Sequence, residues 1–140
     1  MAETVTNRGK TRILAGDLAL DTGDIRMVPI VGTQTGVNDP DLNTLADLDA
    51  VAGVSFHTER IALTTKTVTE DDTNNRATAD SDNVTFAAAP GVTAQGVAIY
   101  EESGGTDATR NLISVHTTGF PQPMDGGLVV NTPNGWLWGT

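Results

Sequence analysis

Cysteine is absent from this chain of 140 residues, which removes disulfides, thiolate nucleophiles and cysteine-ligated zinc together. Aromatic residues are scarce: three Phe, two Trp and one Tyr make up 4% of the sequence. A sugar cleft floored by stacked rings is hard to build from so few, so the abundant acids do not imply glycoside hydrolysis. Basic residues are also few. Eight Lys and Arg against eighteen Asp and Glu leave a net charge of −10. Such a chain is repelled by phosphate backbones and by anionic bilayers, so neither nucleic acid nor a membrane is an expected partner. No apolar run approaches the ~18 residues of a membrane span. The opening MAETVTNRGKTR lacks the apolar stretch of a secretory signal, so synthesis in a cytoplasm is expected. Neither GxxxxGK[ST] nor GxGxxG occurs, which leaves no phosphate-cradling loop.

What the sequence does have is β-hairpin grammar. Strands are expected over 25–31, 54–60, 61–68, 76–79, 84–88, 95–101, 112–118, 127–132 and 135–138. They are rich in Thr and β-branched residues and are separated by DDTNN, DSDN, Pro90-Gly91, Ser103-Gly104-Gly105, Pro121-Gln122-Pro123 and Asn134-Gly135. Asn134-Gly135 is the sharpest turn signal, because a type I′ turn needs positive φ at both positions. Pro29 cannot donate to a ladder, which places its strand at an edge or a bulge. The segment 13–20 reads as a short strand or a single helical turn. One helix is expected over 41–51, where Leu42, Leu45 and Leu48 recur on one face, with Asp39 or Asp41 as its cap. Short strands at near-regular spacing imply an all-β fold, an antiparallel β-sandwich or small barrel with one short helix. Residues 1–12 read as a flexible N-terminal arm, and 13–140 as a single β-sandwich domain. With hydrophobic content of 38%, the core must come mainly from Val, Ile, Leu and Ala, and oligomerisation is a plausible further source of stability.

Candidate chemistry is thin. His57 and His116 lie in separate expected strands, where a zinc pair is less natural than two half-exposed side chains. A Ser-His-Asp set drawn from Ser55 or Ser114 lacks any glycine-flanked nucleophile elbow. The segment beginning at Asp39 alternates oxygen ligands, but Thr44 and Ala50 stand where a calcium loop needs Gly and Glu. Two turns, Glu70-Asp71-Asp72 with Asn74-Asn75 and Asp80-Ser81-Asp82-Asn83, would share a calcium if they met at one end of a sheet. The simpler reading is that Asp and Asn are ordinary turn residues, so no cofactor is expected. Two signals point to surfaces instead. Arg8, Lys10 and Arg12 cluster in the arm of an acidic protein, which suits docking to an acidic neighbour, including another copy, although an ordinary solvated tail has the same composition. Trp136 and Trp138 alternate onto one face of the last strand, as interface anchors or as caps on an aromatic-poor core.

The run V-T-x-D-D-x-N-N-R-A-x-x-D-x-D-N-V-T-F over 68–86, followed by Gly96-Val97-Ala98-Ile99-Tyr100, resembles small virion structural proteins of tailed bacteriophages. Thr109-Arg110-Asn111-Leu112-Ile113, Pro123-Met124-Asp125-Gly126-Gly127, Gly135-Trp136 and the opening G-D-L-x-L-D-T-x-D-I-R-x-V-x-I-V over 16–31 extend the resemblance along most of the chain; 32–55 departs from it. The resemblance implies a virion component without enzymatic activity. The first expectation is a capsid decoration (cement) protein that stabilises the head as a homo-oligomer, with a trimer as one expected form, and with the major capsid protein or other virion proteins as partners. The alternative is a neck-, tail- or fibre-associated protein that contributes to host-surface attachment.

Overall fold

The computed structural model describes residues 4–131 and 135–139. The first elements are β1 (Thr4–Val5), α1 (Asn7–Leu14), β2 (Ile25–Val31), α2 (Leu45–Asp49), β3 (Ser55–Phe56), β4 (Ile61–Ala62) and β5 (Thr67–Asp71). They continue with β6 (Arg76–Asp80), β7 (Val84–Phe86), β8 (Thr93–Glu101), β9 (Asn111–His116), β10 (Gln122–Pro123), β11 (Leu128–Val130) and β12 (Leu137–Gly139). The fold is all-β with antiparallel sheets.

The main sheet runs β1-β9-β8-β2-β3, with β4 also on β2 and β10 on β8. Its three long strands are apolar on both sides, which is the pattern of a sheet covered on both faces. Along β2, Ile25 and Met27 enter one apolar cluster while Val28 and Ile30 enter another. On β8, Val97 and Ile99 join the first cluster and Ala98 and Tyr100 the second. The first cluster is closed by the small sheets β12-β6-β5 and β11-β7, through Ala79, Val84, Phe86, Leu128 and Trp136. The second is closed by α2 and its flanks, through Val37, Leu45 and Leu48. Few aromatics are available, yet Phe86, Tyr100 and Trp136 are all fully buried and supply the largest core side chains.

Pro29 is not at an edge. Its strand is paired with β8 on one side, Pro29 opposite Val97, and with β3 and β4 on the other. The missing N–H is accommodated by interrupting that other side. β3 meets β2 at Ile30 and Val31, β4 meets it at Arg26 and Met27, and Pro29 falls in the gap. Its carbonyl accepts from the His57 N–H at 3.0 Å. In an antiparallel strand the N–H and C=O of one residue face the same neighbour, so the absent donor costs the β2–β8 ladder nothing.

The expected strand 61–68 is also broken. Thr65 takes φ 51°, a left-handed conformation unfavourable for a β-branched residue, and its hydroxyl donates to Asp82 Oδ2 at 2.6 Å. The chain then leaves the body as the β5–β6 hairpin. α2 is shorter than the expected 41–51, and its cap is Thr44, which with Asp47 forms a reciprocal capping box. Asp39 instead accepts from the Asp41 N–H, as an Asx turn does. Of the expected Asn134-Gly135 turn, Asn134 lies outside the described residues; Gly135 takes φ 82°.

The largest departure is at the start of the chain. The segment expected as a flexible arm is β1, paired with β9, followed by α1, which lies on the same strand. Thr6 is the reason. Fully buried, it accepts from the Gly9 N–H at 2.9 Å as N-cap, donates its hydroxyl to the Leu112 carbonyl, and donates its N–H to the Ile113 carbonyl at 2.9 Å. Gly9 lets the helix come close: a Cβ there would stand 2.9 Å from the Ile113 oxygen. The segment 13–20, expected as strand or helical turn, contains the end of this helix. A Schellman closure follows, with Gly16 at φ 74°, its N–H on the Ile13 carbonyl and the Asp17 N–H on that of Arg12. Alanine is the better helix former by ~1 kcal/mol, yet Gly9→Ala is expected to destabilise the protein by about 1–3 kcal/mol through overpacking against β9. The urea midpoint would fall at unchanged m.

Candidate docking surface

α1 has five exposed residues, Asn7, Arg8, Lys10, Thr11 and Leu14, of which Asn7 donates to Asp41 at 2.7 Å. At 100° per residue, Thr11 and Leu14 form the middle of the outer face, with Lys10 and Arg8 at its margins. Leu14 is 87% exposed, the most open large apolar side chain among the described residues. Arg12, expected to dock outward with its two neighbours, turns inward instead. Its guanidinium makes a two-pronged bond to Glu101 at 2.9 and 3.0 Å, and Asn111 donates to the same carboxylate at 2.7 Å. Arg12 is thus a fastener between α1 and β8.

Arg26, Arg60, Arg76 and Arg110 are paired with carboxylates as well. Lys66 donates to the Leu63 carbonyl. Arg8 and Lys10 alone among the described cations have neither a carboxylate partner nor a main-chain acceptor; Arg8 donates only to the neutral Asn111 amide, at 3.0 Å. Two unneutralised positive charges therefore stand at opposite margins of the outer side of α1, on a chain carrying −10 overall. The tryptophans do not extend this surface. Trp136 is fully buried in the chain's own core, so it is unavailable to a partner, and the side chain of Trp138 lies outside the described residues.

The other candidate groups are structural in their placement. Arg60 grips Asp107 at 2.6 and 2.9 Å, Arg110 bonds Asp107 at 2.8 Å and Glu102 at 2.8 Å, and Arg26 reaches Glu102 at 3.7 Å. The hydrogen bond from Arg60, then that from Arg110, holds Asp107 below the usual carboxylate range. At Glu102 burial pushes upward but is outweighed by bonds from Arg110 and the Gly104 N–H, so its pKa also falls. This cluster pins the β8–β9 loop to the outer strands. Turns 71–76 and 80–83 lie at opposite ends of β6, a five-residue strand that spans roughly 15 Å, so they cannot share a calcium. Among the described residues no three acids or histidines gather as a metal site.

Ser114 and His116 do meet, Oγ to Nε2, at 3.1 Å. Ser114 is fully buried, however, and the imidazole, which also bonds the main chain of Trp136, is held by burial at a pKa of about 3. A base that weak beside a sealed hydroxyl cannot activate it at neutral pH. The adjoining cavity, lined by Val97, Phe120 and Gln122, has a volume of about 80 Å³, against the ~300 Å³ or more of small-molecule sites. His57 is far from this pair: its Nδ1 accepts from the Glu59 N–H at 3.2 Å. Comparison of the chain with protein-family models, curated proteins and solved structures gives no match.

Of the residues singled out in the sequence, the structure places Arg8 and Lys10 at the margins of one outward face and removes Arg12 and Trp136 from it. Leu14 had been missed. Thr6 ahead of α1 and Gly16 behind it are the start and stop marks that would have found the helix, and with it the face.

His116 gives an acid-stability test. Its folded pKa is below the usual 6.5, so the unfolded chain takes up the proton first and stability falls as pH drops below 6.5. The loss is at most about 1.4 kcal/mol per pH unit and levels off near the folded value. Asp107 and Glu102 act lower: their stabilising pairs are complete above the unfolded carboxylate values and are lost as pH falls through their depressed pKa values. Urea unfolding from pH 7 to pH 4.5 should show the His116 slope in the native chain and its loss in His116→Asn.

Proposed function

We propose that this chain is a non-enzymatic structural protein of a tailed-bacteriophage virion, a capsid decoration protein that stabilises the head as a homo-oligomer. The observation that carries the reading is the outer face of α1. There Arg8 and Lys10, left without carboxylate partners, flank an exposed Leu14 on an otherwise acidic molecule. An exposed apolar residue rimmed by unspent charge is the composition of a docking surface. The rigid setting supports the reading too: α1 is fixed to the main sheet by Thr6, Gly9 and Arg12, so the face is preorganised and loses little freedom on binding. The sequence resemblance over 16–31 and 68–127 supplies the kind of assembly. A repeating shell offers many equivalent sites to such a tile.

The test is to add the purified protein to heads that lack it. Saturable density at every equivalent lattice position, with a higher shell melting temperature, is the expected result. Arg8→Glu with Lys10→Glu is expected to weaken the binding at least tenfold. Density confined to the neck or tail would move the protein to the attachment apparatus, and no association with particles would end the virion reading.

A further inference from the structure

The β5–β6 hairpin carries the complement of the α1 face. Thr67, Val68, Thr69 and Glu70 are all exposed, and β5 is the unpaired edge of its sheet, outside β6, whose Ala79 is buried in the core. Alternation along the strand puts Val68 and Glu70 on one side, and Asp72 follows in the turn at the tip. The opposite strand faces them with small residues, Ala79 across from Val68 and Ala77 across from Glu70. The other side is occupied: Asp71 is held by Arg76 at 3.0 Å and Asn74 at 2.8 Å, and Thr69 bonds Thr78 at 3.1 Å. Glu70 and Asp72, in contrast, have no ion pair or side-chain hydrogen bond among the described residues. Val68 is 50% exposed and, with Leu14 and Val129, is one of three large apolar side chains left open among the described residues.

We infer that the chain associates head to tail with copies of itself, the outer face of α1 on one copy seated against Val68 and Glu70 of the next copy's hairpin and Asp72 at its tip. The inference rests on the homo-oligomer of the proposed function and names its contact. Leu14 meets Val68, and Arg8 and Lys10 meet Glu70 and Asp72, so both surfaces gain the partners their own fold withholds. The contact uses two different patches, so it is heterologous and repeats around a ring or along a filament. Net charges of −10 repel at a distance, but at physiological ionic strength that repulsion is screened beyond ~8 Å while touching pairs persist.

Sedimentation velocity on the full chain tests this at physiological salt. Native protein is expected to self-associate with rising concentration. Arg8→Glu/Lys10→Glu and Glu70→Lys/Asp72→Lys should each be monomeric with melting temperatures close to native, because none of the four side chains holds the fold together. An equimolar mixture of the two variants should assemble again, since each then meets the opposite charge. A native chain that stays monomeric throughout, or variants that assemble as the native chain does, would overturn the inference. Monomers that still decorate heads would remove this contact and leave the virion role standing. Assembly through this contact without binding to heads would do the reverse.

Discussion

Burial of one sheet on both faces is the constraint on which this structure depends. β2, β8 and β9 are apolar on each side, and a sheet of that kind is unstable until both faces are covered. Too few large side chains are available for a single thick cover, so the chain uses several thin ones. The small sheets carry Phe86 and Trp136 to one side, and α2 carries Leu45 and Leu48 to the other. Tyr100, Phe86 and Trp136 fill volume that Val, Ile and Leu alone would leave open.

Polar chemistry then fastens what burial has brought together. Arg12 ties α1 to β8 through Glu101, and Arg60 and Arg110 tie the β8–β9 loop to β4's approach and to β8 through Asp107 and Glu102. Exposed ion pairs contribute little individually, but these are two-pronged and partly buried, and they fix segments that have few apolar residues of their own. Five of the eight Lys and Arg are paired with carboxylates and Lys66 is held by a carbonyl, which is why the two cations left over on α1 carry information.

The β-rich class and many of the turns were legible because Gly, Pro, Asn and Asp mark turns through backbone geometry that does not depend on distant contacts. What escaped was set by tertiary packing. α1 has local start and stop marks in Thr6 and Gly16, but its docking depends on the Gly9 backbone approaching Ile113, which no local pattern encodes. Pro29 was legible as a missing donor, but the break between β3 and β4 that receives it belongs to another part of the chain. At the docking surface, charge clustering singled out three cations, and only the fold could separate Arg12, spent on Glu101, from Arg8 and Lys10. Trp136 was open to either reading until its burial was seen, since alternation along a strand does not say which side faces the core.

Thr65 has a geometric role beyond its own strain. It sits at the root of the β5–β6 hairpin in a conformation that costs of order 1–3 kcal/mol, and the bond from its hydroxyl to Asp82 links the entry of the hairpin to its exit. The bearing of the hairpin, and so the aim of everything it carries, is set from two sides: by this latch at the root of β5 and by β12, which holds β6 along Ala77, Thr78 and Ala79. Loosening the latch would leave β6 anchored by β12 and by buried Ala79, and free only the outer strand, so that any loss of angular definition falls on β5 and grows toward the tip.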